Sequence, residues 1–234
     1  MIRFERVNKR YPNGRDALSD VSFEIAAGEM AFLTGRTGAG KSTVLGLIAL
    51  FERPSRGQVW VNGQNTAKLS SRRIPRLRRG IGIVFQDHRL LRERPVFDNV
   101  ALPLMVANVS LREVGKRVRA ALDQVGLLGH ERALAHELSV GEQQRVGIAR
   151  AIVSHPPLLI ADEPTGNLDA ALAGEMIGLF RRIQQTGATV LIATHDVALV
   201  RASGCRELSL RDGLLAGAPG AEGAEPLPVI VAVR

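Results

Sequence analysis

The chain has 234 residues, 45% of them hydrophobic, and a formal net charge of +8 at pH 7. This apolar content is enough for one or two closely packed units with a real core, and it argues against intrinsic disorder. The single cysteine, Cys205, excludes an internal disulfide framework, so we expect a reducing compartment. The longest apolar stretch, residues 100–109, is too short to span a bilayer, and we therefore expect a soluble or peripheral protein.

The densest cluster of positive charge is RRIPRLRR at residues 72–79. Such a basic face could contact nucleic acid or an anionic membrane surface, and a solvated arginine-rich surface explains it equally well. Aromatic residues make up only 4% of the chain, which argues against a base-stacking surface for single-stranded nucleic acid. We therefore predict no nucleic-acid partner.

Hydrophobic patterning, taken along the chain, predicts strands at IRFERV and VSFEIAAGEMAFLTG, a helix at STVLGLIALF, and strands at QVWVNG and IGIVFQ. Residues from about 87 to 155 have helical spacing. A buried strand at LLIADEP, a helix at LAGEMIGLFRRIQQTG and a strand at TVLIATHD follow. This alternation predicts an α/β fold with a largely parallel sheet and a helical insertion. The residues after Gly213, rich in Gly, Ala and Pro, are predicted to form a flexible tail without chemistry.

A phosphate-binding loop is predicted at GRTGAGKST, residues 35–43, because the segment fits G-x-x-x-x-G-K-[ST] between a strand and a helix. The glycines let backbone N–H groups approach an anion closely, and the helix N-terminus faces the same point. Lys41 is expected to reach the β and γ phosphates, and Ser42 to ligate Mg²⁺. The predicted nucleotide-binding residues of this loop are Gly35, Arg36, Thr37, Gly38, Ala39, Gly40, Lys41, Ser42 and Thr43.

Two acids and a histidine are predicted at the carboxyl edge of the same sheet. Asp162 and Glu163 follow the apolar run LLIA, and His195 follows the buried strand TVLIAT. Ligands of open α/β sheets bind at this edge. We predict that Asp162 holds Mg²⁺ through water, that Glu163 is the general base for an attacking water, and that His195 is catalytic.

The octapeptide LSVGEQQR, residues 138–145, forms a capping box, in which Ser139 and Glu142 begin an amphipathic helix. Such a helix start exposes N–H donors and a partial positive charge of roughly half a unit. It is therefore a second phosphate site. Because residues 35–43 already surround one triphosphate, we predict that this one serves the nucleotide of another subunit.

The octapeptide also resembles the signature of ABC ATPases, usually written LSGGQ, and the resemblance extends over residues 1 to about 215. It implies a P-loop NTPase (RecA-like) core with an antiparallel β subdomain and an inserted α-helical subdomain at about 87–155; residues 216–234 form the tail. Two ATP molecules would lie between two copies arranged head to tail, with Ser139, Gly141 and Glu142 acting across the interface. Val140 replaces a glycine of the family.

The same resemblance assigns roles to three residues outside these motifs. Tyr11 would stack on adenine, Gln86 in VFQD would act in Mg²⁺ binding and catalysis, and Asp169 in GNLD would contact nucleotide. With residues 35–43, the acids and His195, these positions imply an ATPase that uses ATP and Mg²⁺.

Within that family the chain is most similar to ATPase subunits of bacterial cell division, on segments such as IGIVFQDHRLL and FDNVALPL. That similarity implies a homodimer, peripheral to the cytoplasmic face of the inner membrane, docked on an integral membrane partner and controlling cell-wall hydrolysis. The alternative is an ATPase that powers lipoprotein release or macrolide-type efflux, which would share every catalytic residue. A soluble ABC-type ATPase acting on nucleic acid is disfavoured because the chain has no room for tandem cassettes. A GTPase is disfavoured because no N-K-x-D motif occurs.

Overall fold

The computed structural model describes residues 1–166 and 168–216. A four-stranded antiparallel outer sheet has the order β2-β1-β4-β5, with β1 at Ile2–Arg10, β2 at Asp16–Ile25, β4 at Arg56–Val61 and β5 at Gln64–Asn65. A six-stranded main sheet has the order β10-β9-β3-β8-β7-β6. Its strands are β3 at Met30–Thr34, β6 at Ile81–Val84, β7 at Leu158–Asp162, β8 at Thr189–Thr194, β9 at Arg206–Arg211 and β10 at Leu214–Leu215. The neighbouring strands from β9 to β6 are parallel, and only β10 is antiparallel to its neighbour.

The described residues also form seven α-helices, at Lys41–Ile48 (α1), Ile74–Arg79 (α2), Val96–Val106 (α3), Leu111–Gln124 (α4), Val140–Ile152 (α5), Ala170–Gln185 (α6) and Val197–Ser203 (α7). Helix α4 shows why the middle segment is helical. Its buried residues Val114, Val118, Ala121 and Leu122 recur at helical spacing and form one apolar stripe. No helix in the part of the chain that the structure describes is long and apolar enough to cross a membrane.

The main sheet separates two hydrophobic cores, because successive side chains of a strand point to opposite faces. Phe32 of β3 packs in the helical core, which also contains buried residues of α3, α4, α5 and α6. Leu33, the next residue, packs in the second core with α1 and the outer sheet. The sheet is therefore covered on both faces, as a parallel sheet requires.

The structure confirms the predicted α/β fold with a parallel sheet and a helical insertion. The prediction of one continuous strand at VSFEIAAGEMAFLTG is wrong. The chain turns after Ile25, where Gly28 has φ 73° and the Glu29 carboxylate accepts from the amide of Ala26 at 2.7 Å. As a result β2 and β3 belong to different sheets. The predicted flexible tail lies, from residue 217 onward, outside the described residues.

Candidate nucleotide-binding and catalytic site

The register of the main sheet brings the predicted site segments to one edge. Thr34 pairs with Thr194, Val84 with Ala161, and Asp162 with Ala193. The residues that follow these strand ends are therefore neighbours at the carboxyl edge. They are Gly35 after β3, Gln86 beyond β6, Glu163 after β7 and His195 after β8.

Two glycines of the loop between β3 and α1 are required by close packing against neighbouring backbone, in addition to any need for close approach to a phosphate. Gly35 and Gly40 have φ values of 153° and 109°. A Cβ added at Gly35 would lie 2.4 Å from the carbonyl oxygen of Leu210, and one at Gly40 would lie 2.7 Å from that of Ala17. Any side chain at either position would displace backbone. Arg36, Thr37, Gly38 and Ala39 complete the loop.

Lys41 is the first residue of α1 and is 6% exposed. Its Nζ donates to the carbonyl oxygen of Gly35 at 2.7 Å and lies 3.1 Å from Oε1 of Glu163. A buried ammonium needs such partners because the low-dielectric interior penalises an isolated charge. The contacts hold the cation at the mouth of the phosphate-binding loop.

Ser42 and Asp162 lie together at this edge, where the Ser42 hydroxyl acts on the Asp162 carboxyl group. Burial raises the pKa of Asp162 above its ordinary value, and the charge of Glu163 adds to the rise, whereas the neighbouring Ser42 hydroxyl and the charge of Lys41 lower it. Within residues 1–166 and 168–216, no cluster of three or more His, Cys, Asp or Glu side chains forms a cage for a metal ion. A hydroxyl and a single carboxylate nevertheless fit Mg²⁺, which usually takes one or two protein oxygens and completes its shell with phosphates and water.

Glu163 is held between Lys41 and His195. Its Oε2 lies 2.9 Å from His195 Nδ1 and accepts from the His195 amide at 3.3 Å. The backbone of Glu163 is left-handed, with φ 46°, and its amide donates to the carbonyl of Ala193 at 2.8 Å. A non-glycine residue in this region costs roughly 1–2 kcal/mol. This strain directs an almost fully buried carboxylate to the site edge, where the His195 side chain is 61% exposed.

Tyr11 and Gln86 flank this arrangement. The Tyr11 hydroxyl lies 3.2 Å from Oγ1 of Thr43, and the ammonium of Lys9 lies 4.9 Å from the centre of its ring. The Tyr11 hydroxyl thus contacts helix α1. This contact places Tyr11, which directly follows β1, beside the predicted phosphate-binding loop. Gln86 lies exposed, two residues beyond Val84, the last residue of β6.

The LSVGEQQR segment begins α5 as predicted, with Ser139 as the N-cap. The Ser139 amide donates to Oε2 of Glu142 at 2.9 Å, and the Glu142 amide donates to Ser139 Oγ at 3.4 Å. The Ser139 hydroxyl also lies 2.6 Å from the Glu142 carboxylate. The Glu142 side chain is therefore turned back onto the helix start, and these hydrogen bonds lower its pKa.

Ser139, Gly141, Glu142 and Asp169 line one cavity of about 500 Å³, which none of residues 35–43 lines. Asp169 caps α6 by accepting from the amide of Leu172 at 2.9 Å. The structure therefore divides the predicted binding residues into two surfaces. One surface surrounds Lys41 and the other surrounds Ser139.

Sequence reasoning missed several contacts that hold these surfaces in place. Lys9 supports Tyr11, the Arg15 guanidinium donates to the carbonyl of Gly38 at 2.8 Å, and His130 lies 3.6 Å from Glu142. Of these three residues, only Lys9 is close in sequence to the residue that it contacts, two positions before Tyr11. Arg15 lies 23 residues from Gly38 and His130 lies 12 from Glu142, so no sequence spacing identifies them.

Comparison with known proteins fits this geometry. The sequence profile of the ABC transporter family matches residues 18–166. The chain belongs to the ABC transporter family. As a member of that family it is an ATP-binding protein and an ATPase. The predicted family and P-loop NTPase fold are thus confirmed.

Individual relatives cover almost the whole of this ABC ATPase. It is 54% identical over 222 residues to the cell division ATP-binding protein FtsE of Escherichia coli K12, which covers 95% of this chain and 100% of the relative. It is 45% identical to the protein of that name from Mycobacterium tuberculosis, over 92% and 94% of the two chains. Among solved structures, a dimeric ABC transporter cassette, MJ0796, superposes with a TM-score of 0.85 at 34% identity, over 92% of this chain and 97% of the other. The same cassette in a dimeric post-hydrolysis state with ADP and phosphate also gives 0.85, at 33% identity.

Proposed function

We propose that this ABC ATPase is the nucleotide-hydrolysing subunit of a bacterial cell-division complex. The observation that carries this proposal is the 54% identity to a cell division ATP-binding protein along 95% of this chain and the whole of the relative. Similarity confined to the phosphate-binding loop would support only the fold. Here it includes the segment after Gln86, which the resemblance places against the membrane partner.

ATP binding is assigned to the Lys41 surface. Tyr11 stacks on the adenine, backbone N–H groups of residues 35–43 surround the phosphates, and Lys41 supplies the main side-chain cation. Ser42, Gln86 and Asp162 would hold Mg²⁺, with Asp162 acting through water. The ion neutralises charge on the β and γ phosphates when it is bound.

Hydrolysis is assigned to Glu163 as general base. Its carboxylate is held on one side by Lys41 at 3.1 Å and on the other by His195 at 2.9 Å. A triphosphate attracts Lys41 away from the carboxylate, which leaves Glu163 free to accept a proton from water. His195 fixes the orientation of that carboxylate. Gln86, two residues beyond the end of β6, acts in Mg²⁺ binding and in catalysis.

The Ser139 surface is assigned to the nucleotide of a second copy of the chain. The amides at the start of α5 are donors for a γ-phosphate, and the cavity that they share with Asp169 is separate from residues 35–43. Ser139, Gly141, Glu142 and Asp169 of one copy would thus complete the site of the other. The MJ0796 cassettes, described as dimeric, support this arrangement.

An integral membrane partner, similar to FtsX, would receive the resulting motion at the cytoplasmic face of the inner membrane. The complex would control cell-wall hydrolases at the septum. We propose residues 1–215 as the ATPase domain and residues about 87–155 as the helical subdomain that docks on the partner.

Complementation tests the proposed role. We expect the chain to restore division in Escherichia coli cells depleted of their own FtsE, measured as cell length. The Glu163→Gln and Lys41→Ala variants should not restore it, although they accumulate to the same level. Rescue of cells depleted of a lipoprotein-releasing ATPase, without rescue of division, would favour the alternative function and overturn this one.

A further inference from the structure

The loop that joins β6 to α3, residues 85–95, contains two consecutive residues in a strained backbone conformation. His88 and Arg89 have φ values of 56° and 48°. Left-handed backbone is unfavourable for non-glycine residues and persists only where surrounding contacts impose it. These two residues lie two and three positions after Gln86, so their conformation constrains the path of the chain next to Gln86.

Arg150 of α5 supplies that contact. Its Nη1 donates to the carbonyl oxygen of Arg89 at 2.7 Å, and its Nη2 donates to that of His88. The guanidinium is half-buried and lies 61 and 62 residues away in sequence. A planar guanidinium presents two N–H groups at a fixed angle, which suits two adjacent carbonyls that point the same way.

The rest of the loop is fixed to α3 instead. Asn99 is fully buried, and its amide exchanges hydrogen bonds with the backbone of Leu91 at 2.7 and 3.0 Å. The first part of the loop also folds on itself, with the Arg89 guanidinium 4.2 Å from the centre of the Phe85 ring. Arg150 is thus the long-range side-chain contact nearest to Gln86 among the described hydrogen bonds.

We propose that Arg150 is a positioning residue, which orients Gln86 for hydrolysis and connects it to the Ser139 surface. Helix α5 begins next to Ser139 and carries Arg150 near its other end, about 16 Å along the axis at 1.5 Å per residue. A rigid helix therefore joins the loop beside one nucleotide to the amides that face the other. This inference rests on the function proposed for Gln86 and Ser139.

Three variants test the contact. Arg150→Met keeps most of the buried side chain and removes both donors, whereas Arg150→Lys keeps a charge but cannot bond both carbonyls in plane. The matched control is Arg78→Met. Arg78 also donates to two adjacent carbonyls, of Ala49 and Leu50 at 3.0 and 2.8 Å, and Leu50 is likewise left-handed at φ 57°. The two carbonyls that Arg78 contacts follow the C-terminal end of α1, opposite the end that carries the phosphate-binding loop.

Hydrogen exchange is the readout that does not depend on activity. Arg150→Met should speed exchange of the amides of residues 86–91 by about tenfold or more, since the charged hydrogen bonds that close the loop are lost. Arg150→Lys should fall between this variant and the wild type. Arg78→Met should leave exchange in residues 86–91 unchanged. If the amides of residues 86–91 exchange in Arg150→Met at the wild-type rate, the proposal is overturned.

Kinetics separates positioning from general damage to the fold. Arg150→Met should lower kcat about ten- to a hundredfold while KM for ATP stays within about twofold, because misplacing a catalytic group acts on the chemical step. In a Gln86→Ala background the same change should cost little more. A full additional loss in that background would overturn the role. If Gln86→Ala itself hydrolyses at the wild-type rate, the function proposed for Gln86 fails, and exchange still decides whether Arg150 orders the loop.

Discussion

The ammonium of Lys41 lies 3.1 Å from the carboxylate of Glu163, and the two side chains are 7% and 10% exposed. The residue assigned to phosphate binding is thus paired with the residue assigned to proton abstraction. In the proposed mechanism a triphosphate and Glu163 compete for the ammonium of Lys41. Under the roles proposed for these two residues, binding of ATP would also release the base, and catalytic readiness would depend on occupancy of the site.

Glu163→Gln follows directly from this pair. We expect hydrolysis to fall by at least about a hundredfold, because the amide cannot accept the proton from water. Affinity for ATP should hold or rise, since the neutral amide no longer competes for Lys41. Fluorescent-nucleotide binding and size analysis with ATP check both points, and the variant should accumulate as a dimer. Lys41→Ala is the contrasting variant and should lose nucleotide affinity; wild-type turnover in Glu163→Gln would remove Glu163 from the mechanism.

Asp162→Asn should make the nucleotide-free protein more stable at neutral pH while it abolishes Mg²⁺-dependent hydrolysis. The pKa of Asp162 is raised by burial, so its ionised form destabilises the fold at pH values above that folded pKa. Below the unfolded pKa of an ordinary aspartate, about 3.9, both states are protonated and the advantage of asparagine disappears. Denaturant midpoints with chelator, measured from pH 7 downward, should converge. Equal midpoints for the two proteins at pH 7 would contradict the prediction.

Gly141→Asp should prevent ATP-dependent dimerisation, because it places a carboxylate where we assign a γ-phosphate. Among the described residues a Cβ at Gly141 meets only Leu168 and Leu172, at 3.8 and 3.9 Å, which is ordinary van der Waals contact. Gly141→Ala is the matched control, and it should raise monomer stability by up to about 1 kcal/mol through helix propensity. The dimer dissociation constant is measured in a Glu163→Gln background. Dimerisation of Gly141→Asp as tight as its parent would refute the assignment.

Val140→Gly should tighten the same dimer modestly and leave nucleotide affinity of the monomer unchanged. Val140 is 48% exposed at the first position of α5, so its bulk faces outward rather than into the core. The LSGGQ signature that this segment resembles has glycine at this position, next to the proposed site of the partner copy's γ-phosphate. A weaker dimer in Val140→Gly would show that the valine contributes contacts instead of obstructing them.

The arginine cluster at 72–79 divides into two kinds of residue. All five arginines are exposed, but the Arg78 guanidinium donates to backbone carbonyls and lies 5.0 Å from the Phe51 ring, whereas Arg72, Arg73, Arg76 and Arg79 make no such contact among the described hydrogen bonds. The other four arginines would add at most about 1 kcal/mol each at an anionic surface. We expect their joint replacement by glutamine to leave partner-dependent membrane attachment intact, measured by sedimentation of membranes. Full attachment in cells without the partner would show that the arginines suffice.

Sequence predicted the parts of the site that local patterns encode. The loop at 35–43, the acids after β7 and His195 after β8 were all found from a strand ending in polar residues, because parallel strands deliver their carboxyl ends to one edge. The capping box at Ser139 was equally local, and the structure contains it. Their chemical roles stay predictions until the variants are measured.

Contacts between distant segments could not be predicted in this way. Nothing near Arg150 indicates that it bonds the backbone of residues 88 and 89, and nothing near Glu163 indicates its left-handed conformation. The break at residues 26–29 was missed because the alternating pattern of β2 is followed closely by the apolar run of β3, and periodicity alone does not show which sheet a strand joins. Tertiary packing decides each of these features.

The division of the main sheet's side chains between two cores limits which segments can be exchanged between proteins of this family. Helices α3, α4 and α5 share one core with Phe180 of α6 and Ile192 of β8, both fully buried. A helical segment transplanted from another cassette would arrive with side chains shaped for a different surface beneath it. Chimeras in which about residues 87–155 are exchanged should therefore require matching substitutions in β8 and α6. A change of membrane partner by exchange of this segment would then need changes in the segment and in the core residues beneath it.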